Sequence, residues 1–162
     1  MKLKYITWLP VVFLMITIFL FSSKPAETSG ESSLTISRTV LQVYENVANI
    51  NYNAADRVQI LYDIDHIVRK TAHFIEYAIL AAALVLFFTS WDVISRKSFW
   101  FPALITAVYA MSDEYHQTFV AGRSGQASDV LLDTCGGITG ALFFLLFLNV
   151  LKRIKERRSK IN

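Results

Sequence analysis

The chain is poor in the residues that define several common protein classes. It has 162 residues with one cysteine, three prolines and six glycines, and only 18% of its residues are charged. The single cysteine, Cys135, excludes an intramolecular disulfide framework and any metal site built on several thiolates. The charged fraction lies below the roughly 25% of ordinary soluble domains. In contrast, 54% of the residues are hydrophobic and 14% aromatic, which excludes a disordered polar chain.

Four apolar stretches dominate the sequence. They cover residues 5–21, 72–89, 99–115 and 130–151, and each is close to the roughly 20 residues that cross the hydrocarbon core of a bilayer. We therefore predict one all-α domain over residues 1–162, an integral membrane bundle of four transmembrane helices. A cleaved signal peptide is the alternative for the first stretch. Its apolar run, however, is longer than the roughly 7–15 residues of a signal core.

The basic residues predict how these helices are oriented. With both termini in the cytoplasm, ten basic and two acidic residues lie inside, against six basic and eleven acidic residues outside. Because short cytoplasmic segments carry an excess of Lys and Arg, this orientation is favoured over its reverse. The basic tail, residues 152–162, is then a topology anchor that attracts anionic lipid. We expect the bilayer to be the partner of these charges and predict no nucleic-acid binding.

The long outer loop, residues 22–68, contains two helical patterns. Its Ser/Thr/Gly-rich beginning, up to Ser33, is typical of irregular chain. Apolar residues then recur at helical spacing from Ile36 to Ile50, which predicts an amphipathic helix on the outer membrane surface or on the bundle. A packed lid without a ligand is the simpler interpretation of this helix. After a break at residues 49–53, a second pattern is expected to run into the second span.

Ionisable and polar side chains gather at the outer ends of three predicted spans. Charged groups in a span are costly, usually face the bundle interior and mark functional sites. Arg69, His73 and Glu76 share one helix face. The full set of candidate site residues is Arg69, His73, Glu76, Asp113, Glu114, Gln117, Arg123, Asp129 and Asp133.

Small residues predict which helices approach each other at this cluster. Gly136 and Gly140 continue the helix face of Asp129 and Asp133, and a Gly-x-x-x-Gly pattern lets two helix backbones come close. Both aspartates should therefore point toward the helix that docks on the glycines. Cys135 is expected to be a packing residue rather than a nucleophile.

Three interpretations fit the cluster. The first is a buried polar network that fixes helix register. The second is an acid/base or metal-assisted site acting on a lipid-linked phosphate. The third is a non-catalytic binding site. In the last case Arg69 and Arg123 would hold a phosphate or carboxylate. A divalent cation suits His, Glu and Asp ligands, although no His-Glu-x-x-His spacing occurs. The residues alone do not decide between an enzyme and a binding protein.

Four blocks of this sequence resemble the VanZ-like family of bacterial membrane proteins. Three strong blocks are RKTAHFIEY at residues 69–77, SDEYHQTF at residues 112–119, and the stretch from GRS to DVLLDTCGG at residues 122–137. A weaker block is FSSKP at residues 21–25. The ordered combination is specific, and it covers the chain from the first predicted helix to the fourth.

The resemblance implies a multi-pass protein of the bacterial cell membrane, with a founding member linked to reduced susceptibility to teicoplanin. The family pattern transfers to His73, Glu76, Asp113, Glu114, Gln117, Arg123, Asp129 and Gly136. Many relatives have Asn where this chain has Asp133. The family supplies no settled reaction, so we expect an outward-facing pocket that binds or processes an anionic lipid-linked envelope precursor. A small transporter or channel and a scaffold for an envelope enzyme are the alternatives.

Overall fold

The computed structural model describes residues 3–91, 93 and 97–159. Within these residues a short 3-10 helix, Leu3–Tyr5, precedes five α-helices and no strand occurs. The α-helices are α1 Trp8–Ser22, α2 Ala26–Ala48, α3 Ala54–Ser90, α4 Lys97–Gln117 and α5 Ala127–Ser159. The predicted all-α class is confirmed. The predicted cytoplasmic residues Lys2, Arg96 and Lys160, and the last two residues of the tail, lie outside the described part.

Two of the described helices, α3 and α5, are long and apolar enough to cross a membrane. Only 28% of the apolar window of each is buried inside the protein, so most of this apolar surface faces outward rather than into a core. The helix α1 is apolar but has 15 residues, and α4 has 21. The two long helices support a membrane environment, while passage of all four through the bilayer stays a prediction.

The helices α3 and α5 pack with their backbones in direct contact. A Cβ added to Gly136 would overlap the carbonyl of Phe74, and one added to Gly140 would overlap the backbone of Ala78. Residue numbers rise together along the two helices at these contacts, so α3 and α5 run parallel. The predicted close approach at the Gly-x-x-x-Gly pattern is confirmed, and its partner is α3.

The remaining helices complete an up-and-down bundle. At one end, the hydroxyls of Thr7 and Ser90 lie 2.8 Å apart, which makes α1 antiparallel to α3. At the other end, the Gln117 amide donates to the Ser22 hydroxyl at 2.8 Å. The ends of α1 and α4 and the beginning of α5 therefore meet at the same end of the bundle, beside the middle of α3.

The first part of the predicted outer loop is helical, and the prediction of irregular chain up to Ser33 is wrong. The helix α2 begins at Ala26, directly after Pro25. Its serine side chains bond to carbonyls of their own helix: Ser33 donates to the oxygens of Ser29 and Gly30. Such bonds let serines remain inside a helix, and this is why a composition typical of loops misled the prediction.

The helices α2 and α3 form a hairpin beyond the bundle. Asn49 adopts a left-handed conformation at the end of α2, with φ 53°, and the Asn53 side chain accepts a hydrogen bond from the Asp56 amide at the start of α3. Farther along, the Ser37 hydroxyl donates to Asp65 at 3.2 Å. The predicted break and the predicted second helix running into the second span are both confirmed.

The apolar stripe of α2 does not pack on the bundle. Its members are exposed, and Val47 reaches 83% exposure. The face of α2 that meets α3 carries Ser33, Ser37 and Leu41 instead, all of them buried. Of the two locations that the sequence allowed for this stripe, packing on the bundle is therefore wrong.

Gly140→Ala is expected to destabilise the folded bundle, because the added Cβ would overlap the Ala78 backbone. Overpacking of this kind costs roughly 1–3 kcal/mol and is measured as a lower unfolding temperature of the protein in detergent. Gly30→Ala is the matched control, since nothing lies within 4 Å of a Cβ added there. Equal unfolding temperatures for Gly140→Ala and the wild type would contradict the α3–α5 contact.

Candidate functional site

A cavity of about 800 Å³ lies at the end of the bundle where α1 and α4 end and α5 begins. Its volume is within the roughly 300–1,000 Å³ of small-molecule sites. Asp113 and Asp133 do not line it but lie nearly or fully buried, with 3% and 0% exposure. The other seven predicted residues line it: Arg69, His73, Glu76, Glu114, Gln117, Arg123 and Asp129. The structure thus brings most of the cluster to one pocket, while its ligand-binding role stays a prediction.

Arg123 projects into the pocket from the turn between α4 and α5. Gly122, with φ 73°, provides the left-handed conformation that this turn requires. The guanidinium donates to the Lys24 carbonyl at 2.9 Å and to the Ser29 hydroxyl at 2.6 Å. A third bond runs to the Gln117 side-chain oxygen at 3.3 Å. All three acceptors are uncharged. Among the carboxylates whose side chains the structure describes, which do not include Glu27 and Glu31, none forms an ion pair with Arg123.

Partial burial lowers the pKa of the Arg123 guanidinium from its ordinary value, and the carboxyl of Asp113 opposes this lowering. Arginine nevertheless remains protonated in proteins because its ordinary pKa exceeds about 12. The pocket therefore holds a permanent positive charge whose protein contacts are neutral.

The end of α1 and the residues after it supply backbone hydrogen-bond acceptors for Arg123. Besides the Lys24 carbonyl, the Phe21 carbonyl accepts from Arg123 at 3.4 Å. The Ala26 amide donates to the Ala121 carbonyl at 3.2 Å, which ties the start of α2 to the same turn. Residues 21–25, the weakest of the four sequence blocks, therefore contribute mainly backbone carbonyls to the site.

Gln117 connects the arginine to a buried carboxylate. Its amide nitrogen donates to Ser22 at 2.8 Å and to Asp113 at 3.2 Å, while its oxygen accepts from Arg123. Gln117 is only 6% exposed, so these bonds replace contacts with water. The Gln117 side chain thus links Arg123 to Asp113 in the interior of the bundle.

Two further cations that line the pocket, Arg69 and Lys70 of α3, have carboxylate partners. Lys70 forms an ion pair with Asp129 that joins α3 to α5. The Nε atom of Arg69 lies 3.2 Å from an Asp65 oxygen, although its N–H is not directed at a hydrogen-bond acceptor. Asp65 was not among the predicted site residues, and its i, i+4 spacing from Arg69 was the signal that could have identified it.

Below the pocket, several buried polar atoms have no hydrogen-bond partner in the described part of the chain. Both carboxyl oxygens of Asp133, the Tyr77 hydroxyl and the Nδ1 atom of His73 belong to this group. The Nδ1 atom of His73 lies 3.9 Å from Asp133, too far for a hydrogen bond. Buried polar groups are normally satisfied, so each such atom requires an explanation in terms of strain, water, an ion or a ligand.

Glu114 and Glu76 differ in their contacts although both line the pocket. Glu114 accepts from the Gln126 amide at 2.8 Å, directly before α5, and a carboxylate there stabilises the positive end of the helix dipole. Glu76 makes no hydrogen bond or ion pair with any described residue. Glu114 therefore has a structural role at the start of α5, whereas the Glu76 carboxyl is available to a ligand.

A metal centre is not formed by the described residues. Within residues 3–91, 93 and 97–159, no group of three or more His, Cys, Asp or Glu side chains is arranged to hold a metal ion. The divalent cation considered from the sequence therefore has no ready ligand set in this part of the chain.

Comparison with known proteins identifies the family. The profile described as VanZ/LLP1 matches residues 7–148, which include the whole pocket cluster. No curated protein and no solved structure matches the chain. The resemblance carried by the four sequence blocks is confirmed. With two helices suited to a bilayer and a family match over most of its length, the chain is a membrane protein that belongs to the VanZ/LLP1 family.

Proposed function

We propose that the protein binds an anionic, lipid-linked component of the cell envelope in this pocket, with Arg123 as the anchor. The observation that carries the proposal is the absence of any ion pair between Arg123 and a described carboxylate, beside a cavity of about 800 Å³. A phosphate or carboxylate placed there would balance the charge and could accept the one N–H of Nη1 that the four protein acceptors leave free. Lys24, which also lines the pocket and lies over the Phe21 ring, would add positive potential there.

The walls of the pocket suit an amphiphilic ligand. Phe21, Ile36 and Tyr62 line it together with the charged groups, and each of the three is about half exposed or more. A headgroup at Arg123 would leave an attached hydrocarbon chain beside these apolar side chains. This combination supports a lipid-linked anion over a small inorganic one.

The proposal includes four membrane-crossing helices with the pocket on the outer face. The alternation of α1, α3, α4 and α5 supports four crossings. Large apolar side chains exposed on α1, α4 and α5 support it further, among them Phe13 at 68%, Leu104 at 62% and Phe143 at 74%. The excess of basic residues at the opposite end favours cytoplasmic termini.

Transport across the membrane has less support than binding at one face. Below the pocket the described helices close on apolar side chains, including Val11, Leu80 and Leu84, which are buried together. A pathway for a polar solute would need polar groups through this region. The proposed function is therefore recognition at the outer surface, which also remains compatible with a scaffold for an envelope enzyme.

A cysteine introduced at Ser124 is expected to react with a membrane-impermeant maleimide added to intact cells. Native Cys135, predicted to be a packing residue, is exposed, so the experiment uses a Cys135→Ser background. Ser159→Cys, at the end of α5, is the matched control and should react only after the cells are opened. The reverse pattern of labelling would contradict the proposed orientation.

Arg123→Gln is expected to weaken binding of dihexanoyl phosphatidylglycerol to the purified protein by roughly 10- to 100-fold, because hydrogen bonds to charged groups contribute about 1.5–3 kcal/mol. Isothermal titration calorimetry in a neutral detergent measures the change. Arg38→Gln, on the exposed side of α2, is the control and should bind as the wild type does. Equal affinities for all three proteins would contradict the proposed anchor.

In cells whose teicoplanin susceptibility depends on this protein, Arg123→Gln should reproduce the susceptibility of the deletion strain at normal membrane abundance. Loss of a binding group without loss of the fold explains this result. Abundance is measured by immunoblotting of membranes. Glu114 and Asp129 are less suitable positions, since their carboxylates also hold the start of α5. A wild-type susceptibility of Arg123→Gln would separate the Arg123 site from the teicoplanin effect.

A further inference from the structure

We infer that the ligand carries a primary ammonium group next to its anion, with the anion at Arg123 and the ammonium at Glu76. This inference rests on the proposed function, because it assumes that the anion is held at Arg123. The chemical class is an aminoalkyl phosphate headgroup, which a membrane lipid or a soluble phosphodiester could supply.

The charges of the pocket are separated along α3. Arg69 and Lys70 lie near the rim, and Glu76 lies seven residues from Arg69, or about 10 Å farther along the helix at roughly 1.5 Å per residue. The direction from Arg69 to Glu76 leads toward the part of α3 that packs against α5. A ligand entering past the basic rim therefore meets a carboxylate at the floor.

The two cations of α3 that line the pocket with Glu76 already have carboxylate neighbours. The ammonium of Lys70 is paired with Asp129, and the guanidinium of Arg69 lies beside Asp65. Glu76 itself has no hydrogen-bond or ion-pair partner in the described chain, although it is half-buried and lines the cavity. A half-buried carboxyl without a partner is costly, and a ligand ammonium would satisfy it.

The surroundings of Glu76 strengthen this acidic character. Asp113 and Asp133 lie behind the pocket wall, and the Asp133 oxygens and one Asp113 oxygen have no hydrogen-bond partner in the described chain. Asp113 accepts from Gln117, which lines the pocket. Asp133 lies 3.9 Å from the Nδ1 atom of His73, which lines the pocket as well. The fully buried Tyr77 hydroxyl is itself unpartnered. Carboxyl groups on α3, α4 and α5 thus surround the pocket floor.

The type of ammonium follows from the acceptors present. A primary ammonium has three N–H donors, which suit carboxylate acceptors such as Glu76, and Glu114 lines the same cavity. Quaternary ammonium groups are instead recognised by cages of aromatic faces. The aromatic residues Phe21 and Tyr62 line the pocket from the end of α1 and the α2–α3 hairpin. The floor therefore favours a primary over a quaternary ammonium.

The test compares short-chain lipids that differ only in headgroup, using the full chain in a neutral detergent and isothermal titration calorimetry. Dihexanoyl phosphatidylethanolamine should bind at least about tenfold more tightly than dihexanoyl phosphatidylglycerol or phosphatidylcholine, a difference of about 1.4 kcal/mol. Glu76→Gln should bring the ratio of the phosphatidylethanolamine affinity to the phosphatidylglycerol affinity close to one, whatever its effect on phosphatidylglycerol binding alone. Glu76→Asp, which keeps the charge, should retain part of the preference.

Two controls separate an electrostatic effect from a loss of fold. Glu45→Gln removes a carboxylate that pairs with Arg57 on the hairpin, away from the pocket, and should preserve the preference. The unfolding temperature of each variant shows whether the bundle is intact. Soluble glycerophosphoethanolamine is titrated in parallel. Binding equal to that of the lipid indicates a soluble source for the headgroup, and weaker binding indicates a lipid.

The outcomes distinguish failure of this inference from failure of the proposed function. If the wild type shows no preference for the ethanolamine lipid, or folded Glu76→Gln keeps it, the ammonium site is overturned. The anion site survives in that case, provided that Arg123→Gln still weakens binding of every phospholipid. If Arg123→Gln binds each lipid as the wild type does, the anion site fails and the ammonium inference fails with it.

Discussion

The close contact between α3 and α5 determines the geometry of the rest of the site. Gly136 and Gly140 allow the backbone of α5 to lie against Phe74 and Ala78 of α3. Because the two helices are parallel, the same register brings the residues that precede these contacts together. Lys70 thereby meets Asp129, and His73 approaches Asp133. Larger side chains at the glycines would separate the two walls of the pocket.

A second constraint joins this helix pair to the beginning of the chain. Arg123 is held by the carbonyls of Lys24 and Phe21, and Gln117 is held by Ser22. The turn before α5 can therefore take its position only when the end of α1 is in place. The site depends on contacts between segments that are about a hundred residues apart in the sequence, and it forms as a product of the whole fold.

Much of the fold was predictable because it depends on local patterns. Apolar runs identified the helices now seen as α1, α3, α4 and α5, and the small-residue pattern of α5 identified its close packing. Helical spacing identified α2 but not its beginning, since serine side chains bond within the helix at Ser33. Helical spacing also could not show that the apolar stripe of α2 faces outward, because α3 packs on the serine-rich face instead.

Most of the residues of the candidate site could be predicted from the sequence, but the contacts that they make could not. Ionisable residues near the ends of apolar runs are rare, so nine positions could be selected from the sequence alone. Two of the four acceptors of Arg123 could not be found in this way, because they are the backbone carbonyls of Phe21 and Lys24 and carry no side-chain signature. Asp65 was overlooked because it lies in a polar segment where a carboxylate is ordinary. The charge separation between Arg123 and Glu76 depends on the pairing of Arg69 and Lys70 with their aspartates, which the sequence does not show.

The helix α3 has a mechanical consequence that its role in the pocket does not reveal. It is a single helix of 37 residues, about 55 Å long at roughly 1.5 Å per residue, and it carries both the outer hairpin and one wall of the pocket. Sharp kinks in helices need a proline, a glycine pair or an inserted group, and Ala54–Ser90 contains neither proline nor glycine. The hairpin and the pocket wall therefore form one stiff element. A displacement of the far end of the hairpin moves Arg69 and Glu76 as well.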